Sequence, residues 1–142
     1  MKTSVLIFVA LCVIFLSSCQ AGFEPVSYGH DACTQCKMTI MDKRYAAEIV
    51  TKKGKAFKFD DLACLRKYIR EEHLSESEIQ IFVADYNSSD NKFLNARQVV
   101  YLHGEMFKSP MNGDLPAFRL ADHIESVKDS LHTEVLKWEN LN

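Results

Sequence analysis

The sequence predicts an α+β fold made of two similar β-β-α-β lobes, and two observations carry this prediction. Strand-like and helix-like patterns follow one another in the order β-β-α-β in the first half of the chain and again in the second half. The segment AFKFDDLACLRKYI at 56–69 also matches AFRLADHIESVKDS at 117–130 at five positions, in order. A repeated set of elements indicates a duplicated unit, so we expect lobes over about 31–88 and 89–142.

The first lobe opens with two strand-like segments, RYAAEIV at 44–50 and KAFKF at 55–59. The connecting TKKGK predicts a hairpin turn, because Gly54 adopts positive φ without strain. Apolar residues then recur at spacings of three and four over 61–73, which predicts an amphipathic helix that begins at an aspartate cap. The run IQIFVADY at 79–86 predicts the third strand of the lobe.

The second lobe is expected to follow the loop NSSDN at 87–91. The same periodicities predict its elements. These are a strand at 95–104, a strand at 116–120, a helix over 121–132 and a closing strand at 133–141. The alignment of the two repeated segments pairs Asp122 with Asp61. The second half therefore predicts the same order of elements as the first half.

The N-terminal segment predicts export and attachment to a membrane by lipid. Lys2 supplies a positive charge, and the apolar run VLIFVALCVIFL at 5–16 is shorter than the roughly 20 residues that span a bilayer. The run ends in LSSC, which resembles the lipobox of bacterial lipoproteins. This resemblance implies a signal peptide over 1–18, cleavage before Cys19 and lipid on Cys19. An ordinary signal peptide with a chance cysteine is the alternative.

Residues 19–30, which include two glycines and a proline, are expected to tether the lipid to a domain over 31–142. The protein would then face the periplasm from a membrane of the cell envelope. Gln20 does not match the inner-membrane retention signal of enteric bacteria, and the choice between the inner and the outer membrane stays open. A formal net charge of −2 gives no basic face for nucleic acid, so we expect no such ligand.

The stretch CTQCKM places three sulfur-containing side chains within six residues, at Cys33, Cys36 and Met38. In an extended segment, residues two apart point to the same side, so Cys36 and Met38 would present a thiol and a thioether together. Soft sulfur pairs suit Cu(I), whereas zinc gains little from a thioether. The residues alone leave three alternatives open: a core role for Met38, a disulfide between Cys33 and Cys36, and a thioredoxin-like redox pair.

Several further residues are candidates for the same site or for its surroundings. His30 lies three residues before Cys33 and could reach a metal held there, and Met111 in the turn SPMNG is a candidate for copper or partner binding. Asp60 and Asp61 are interpreted as helix caps, and Cys64 as a small buried residue of the helix.

Four motifs occur in one order, CxxCxM, RYAAEIV, FDDLACL and SPM followed by AF, and together they resemble the NosL family of periplasmic copper lipoproteins. The similarity covers about 33–120. It implies two related β-β-α-β lobes of a kind also seen in organomercury lyase, and it places Cys36, Met38 and Met111 on motifs of the family. The sequence departs from many relatives at Lys37, where they have glycine.

The resemblance implies a protein that binds Cu(I) and delivers it for assembly of the copper centres of nitrous oxide reductase. Its partners would be that reductase or the membrane proteins of its maturation apparatus. No enzyme is expected, since the chain has no Ser-His-Asp motif, phosphate loop or HExxH motif. Two other functions stay open, namely general sequestration of periplasmic copper and thiol–disulfide support of copper-site assembly.

Overall fold

The computed structural model describes residues 22–104, 106–120, 124 and 133–141, which form two antiparallel sheets and one α-helix. The strands are β1 (Ala47–Thr51), β2 (Ala56–Phe59), β3 (Ile79–Ala84), β4 (Phe93–Asn95), β5 (Val99–His103), β6 (Ala117–Arg119) and β7 (Glu134–Leu136), and the helix is α1 (Leu62–Glu71). Short 3-10 helices cover Glu76–Glu78, Ala96–Gln98 and Trp138–Asn140. The mixed α+β class is therefore as predicted.

The first sheet has the strand order β2-β1-β3-β4, with β1 and β3 in its interior. Ile49 on β1 lies opposite Phe57 on β2 and Ile81 on β3, so apolar side chains fill the face that packs against α1. The predicted hairpin between β1 and β2 is confirmed, because Gly54 has a φ of 87° and its N–H donates to the carbonyl of Thr51. The turn residue thus fixes the register of the two strands.

Helix α1 begins at Asp61, whose carboxylate accepts a hydrogen bond of 2.8 Å from the N–H of Ala63. The prediction of a cap at Asp61 is confirmed, and the cap role predicted for Asp60 is wrong. Asp60 lies one residue before the cap, is buried, and directs its carboxylate to a cysteine instead. Leu62 and Leu65 face the sheet and belong to the same core cluster as its buried side chains.

The second sheet has the order β6-β5-β7, so its first strand lies in the middle, as β1 does among the first three strands. The predicted helix at 121–132 lies outside the described residues except for Ile124, which packs in a core cluster with Phe107 and Phe118. The duplication of complete lobes, and the kinship with organomercury lyase, therefore stay predictions. Strand β4 lies in the second predicted lobe, because it follows residue 88, but it pairs with β3 of the first predicted lobe.

The segment predicted as a tether packs against the first sheet from Phe23 onward. The ring of Phe23 lies 5.5 Å from that of Phe82 and 4.8 Å from that of Phe93. The N–H of Glu24 donates a 2.9 Å hydrogen bond to Glu48 of β1, whose second carboxylate oxygen is buried without a partner. Burial raises the pKa of Glu48 to about 7.

The predicted signal peptide and Cys19 lie outside the described residues. Within the part of the chain that the structure describes, no helix has the length and the apolar character needed to cross a bilayer.

The two sheets meet where β3 leads into the second half of the chain. Asp85 forms a parallel bridge with Ala117, and its buried carboxylate forms an ion pair of 2.5 Å with the partly exposed Arg119. The next residue, Tyr86, packs its ring against those of Phe107 and Phe118 at 5.6 and 5.2 Å. These contacts fix the second sheet against the end of the first one.

Candidate metal centre

Four side chains from two segments of the chain converge in one place. The sulfur atoms of Cys33, Cys36 and Cys64 and one carboxylate oxygen of Asp60 all lie within 4.8 Å of one another. Three thiols and a carboxylate at this spacing are donors for a single metal ion. We refer to these four residues as the thiol cluster.

A tight turn supplies two of the thiols. The N–H of Cys33 donates to the carbonyl of Met38 at 2.7 Å, and the N–H of Lys37 donates to the carbonyl of Cys33 at 3.0 Å. Lys37 has a φ of 67°, in the left-handed region, which turns the chain back on itself. The expected extended geometry from Cys36 to Met38 is therefore wrong, and alternation along a strand does not relate these two side chains.

Two hydrogen bonds fasten this turn to the first sheet and to α1. The N–H of Thr34 donates to the carbonyl of Lys58 on β2 at 2.7 Å, and the amide of Gln35 donates to the carboxylate of Glu71 at 2.8 Å. The thiols are thus held by a turn with a fixed place in the fold rather than by a free loop. The cysteine pair does not open a helix, unlike a thioredoxin-like redox pair.

The junction between β2 and α1 supplies the rest of the thiol cluster. Asp60 follows β2 directly, and its Oδ2 accepts a 3.5 Å hydrogen bond from the sulfur of Cys36. Its Oδ1 is buried without a hydrogen-bond partner. Cys64 lies in the first turn of α1 and is buried, as is Cys33, whereas Cys36 is half-buried. The cluster therefore opens toward solvent on the side of Cys36.

Burial keeps the inner thiols protonated when no metal is bound. Burial raises the pKa of Cys33 to about 11, and the neighbouring Asp60 carboxylate also raises it. Burial raises the pKa of Cys64 still further, and the nearby Cys33 and Asp60 act in the same direction. Metal binding must therefore displace protons from these sulfurs.

The cysteines of the thiol cluster are free thiols in the described part of the chain, so the structure has no disulfide between Cys33 and Cys36. Met38 is 57% exposed, although Ile40 two residues later is completely buried. A core role for Met38 is therefore excluded. Its thioether lies on the solvent side of the turn that carries both cysteines of the CxxC pair.

Met111 is brought to the same region by Asp61. The Oδ2 atom of Asp61 accepts hydrogen bonds from the hydroxyl of Ser109 at 2.5 Å, from the N–H of Met111 at 2.9 Å and from the N–H of Gly113 at 3.3 Å. The loop between β5 and β6 is thus bonded to the residue that follows Asp60 in the chain. Met111 remains 38% exposed.

This contact requires glycine at position 113. A Cβ atom there would collide with the carboxylate of Asp61 and come within 3.0 Å of the Cβ of Ala63. The loop is also braced internally, because the N–H of Ser109 donates to Asp114 and the N–H of Asp114 donates to the hydroxyl of Ser109, both at 2.8 Å. The second half of the chain therefore presents Met111 from a fixed loop.

The structure separates the predicted site residues into three groups. Cys33 and Cys36 lie in the thiol cluster, Met38 and Met111 are exposed on the two loops beside it, and His30 is exposed and is not one of the cluster residues. Sequence reasoning missed Asp60 and Cys64 as possible ligands. The available signal was their closeness in the chain at the predicted start of the helix.

Comparison with known proteins bears on the fold and the family of the chain. The solved structure of the copper chaperone NosL from Shewanella denitrificans matches the chain with a TM-score of 0.69 and 17% sequence identity, over 86% of this chain and 96% of that one. At this identity the likeness concerns the fold. No curated protein sequence is a significant match. The NosL family model matches residues 27–142, which is most of the sequence, and the chain therefore belongs to the NosL family.

Proposed function

We propose that this protein is a periplasmic metallochaperone that binds Cu(I) through Cys36 and Met38 and delivers it for assembly of the copper centres of nitrous oxide reductase. The observation that carries the proposal is the arrangement of sulfur donors. A half-buried thiol at Cys36 is in the same tight turn as the exposed thioether of Met38, and two further thiols lie behind it. Soft donors of this kind favour Cu(I) over harder ions.

A carrier differs from a storage protein in that its ion must leave by ligand exchange with a partner. The exposure of Met38 and Met111 gives an acceptor protein access to the metal from the solvent side. The NosL protein from Shewanella denitrificans is named a copper chaperone, which supports the same role here. The acceptor would be nitrous oxide reductase or a membrane protein of its maturation apparatus.

The proposal includes attachment to an envelope membrane through lipid on Cys19. Only three residues would separate the lipidated cysteine from Phe23, which packs on the first sheet. A chain extends by at most about 3.5 Å per residue, so such an anchor would hold the domain close to the membrane surface. This would restrict the protein to clients that are also at the membrane.

The copper site can be tested by measuring Cu(I) affinity of the reduced full chain against a chromophoric chelator without oxygen. Cys36→Ser should weaken binding by about 100-fold or more, because a hydroxyl is a poor ligand for a soft ion. Met38→Leu keeps a similar volume and should slow the exchange of Cu(I) with the chelator by roughly 3- to 10-fold, because it removes the sulfur donor that faces the solvent. Met41→Leu is the matched control, since Met41 is 68% exposed and lies outside the CxM motif. Equal effects of Met38→Leu and Met41→Leu would remove Met38 from the site.

Delivery is tested in the parent cell by the copper content of nitrous oxide reductase. Cys36→Ser should lower this content, whereas Met41→Leu should leave it unchanged. A general copper-sequestering protein would instead change copper tolerance and leave the reductase loaded. A thiol–disulfide protein would show dithiol oxidoreductase activity that depends equally on Cys33 and Cys36.

A further inference from the structure

We infer that Cys33 and Cys64 join Cys36 to form a second, inner position for Cu(I), beneath the outer position at Cys36 and Met38. The inference rests on the proposed copper binding and adds a coordination site to it. Cys36 would belong to both positions, so that a single copper ion could exchange between them without losing its bond to this sulfur.

The spacing of the sulfurs fits one ion. Metal–thiolate bonds are about 2.3 Å long, which places the sulfurs around a three-coordinate ion roughly 4 Å apart. The three sulfurs of the thiol cluster lie within 4.8 Å of one another. Small side-chain rotations would therefore bring all three into bonding distance without a change in the backbone.

The inner donors are held on separate and fixed elements. Both backbone groups of Cys33 are bonded within the tight turn, and the turn is bonded to β2 through Thr34. Cys64 lies in the first turn of a helix whose start is fixed by the cap at Asp61. A site built from such elements loses little conformational entropy when the ion binds.

Asp60 provides a second and independent observation that points to a cation. Asp60 is 98% buried. Its Oδ1 atom has no hydrogen-bond partner, while its Oδ2 atom accepts a hydrogen bond from the sulfur of Cys36. An unpaired carboxylate oxygen in the interior is costly, because burial removes the water that would otherwise solvate it. A positive ion among the three sulfurs would offset this cost.

The gradient of exposure indicates how the ion would enter. Met38 is exposed, Cys36 is half-buried, and Cys33 and Cys64 are buried. Copper would bind first at Met38 and Cys36, and the thioether would then be replaced by the two inner thiols. Each thiol would release its proton to water as its copper–sulfur bond forms, and the ion would remain Cu(I) throughout.

The test uses the reduced full chain, loaded with one equivalent of Cu(I) without oxygen. X-ray absorption should show three sulfurs around copper in the wild type and one fewer in Cys64→Ser. The same variant should lower the Cu(I) affinity at least tenfold in competition with the chelator. Ala63→Ser is the matched control, because it adds a hydroxyl in the same helical turn and leaves every thiol in place.

Two results would overturn the inner position. One is a wild-type site with only two sulfurs, a result that needs no variant. The second is an affinity within threefold of wild type and an unchanged sulfur count in both Cys64→Ser and Cys64→Ala. The proposed function fails separately, if Cys36→Ser keeps wild-type affinity, so the two failures are distinguishable.

Discussion

The two sheets share the order of their first three strands. The residues that follow the second of these strands in the chain differ between the two sheets. After β2 the chain buries Asp60 and Asp61 and places Cys64 in the following helical turn. After β6, Leu120 is 65% exposed, although it aligns with the completely buried Phe59. The strand order provides a frame in both halves, but side chains at a single junction decide which half carries the thiol cluster.

The second half contributes to the site by a different route. The described residues of its loop between β5 and β6 bring no ligand into the thiol cluster, and instead they bond to Asp61 and present Met111 beside it. One half therefore holds the thiol cluster, and the other supports the helix start next to it. Substitutions that act on one half and spare the other can test this division.

The largest effect on stability is expected at Asp61. Asp61→Ala removes an acceptor of four hydrogen bonds and leaves buried donors unpaired, so it should lower the free energy of unfolding by on the order of 3–5 kcal/mol. Urea denaturation measures the loss. The control is Asn95→Ala, since Asn95 caps a 3-10 helix through one bond to Arg97 and its loss should cost about 1 kcal/mol. Similar losses would contradict the role given to Asp61.

An effect of intermediate size is expected at Glu48 of the central strand β1. Its pKa is raised to about 7 by burial, against an ordinary 4.5. The hydrogen bond from the N–H of Glu24 and the charge of Lys58 lower it, whereas the charges of Glu24 and Asp31 raise it. The raised pKa means that the folded state favours the protonated, neutral carboxyl group of Glu48. The contribution of Glu48 to stability is therefore complete below about pH 4.5, declines as the pH rises and is lost above pH 7.

Relative to Glu48→Gln, wild type should thus lose on the order of 3 kcal/mol between pH 4.5 and 8. The measurement is urea denaturation at a series of pH values. Glu134→Gln on β7 of the second sheet is the control, because this side chain is exposed. The stability of this variant should change with pH in the same way as that of the wild type. A pH profile of Glu48→Gln parallel to that of wild type would contradict the assignment.

The smallest effect is expected in the two loops of the site. Both contain a residue with positive φ, namely Lys37 at 67° in the first half and Asn112 at 56° in the second. Asparagine tolerates this conformation better than lysine does, so Lys37→Gly should stabilise the protein by about 0.5–1 kcal/mol, and Asn112→Gly should change little. Thermal unfolding measures both. Destabilisation by Lys37→Gly would show that its side chain, which donates to the carbonyl of Thr34, outweighs the backbone strain.

Much of the first half could be predicted because its patterns are local. The hairpin at Gly54, the cap at Asp61 and the run of β3 each depend on residues within one or two turns of each other. The family could be identified from four short motifs in order. The overall α+β class follows from the same segments.

The features that were missed depend on contacts across the chain. Lys37 adopts a left-handed conformation that no propensity of lysine predicts, and the extended geometry expected for the CxM motif was wrong for that reason. Asp60 and Cys64 became part of the cluster only because Thr34 bonds to β2 and brings the turn onto them. Sequence spacing alone does not contain that contact.

The bonds made by Asp61 also relate the site to the biogenesis of the protein. One of its oxygens accepts from Ala63, two residues away, and the other accepts from residues 48 to 52 positions later. A nascent chain that ends before Ser109 would therefore hold the helix cap and all three thiols, yet leave half of this carboxylate without partners. Because Ser109, Met111 and Gly113 supply three of the four hydrogen bonds to the Asp61 side chain, the helix start beside the thiol cluster is complete only when synthesis has passed this loop.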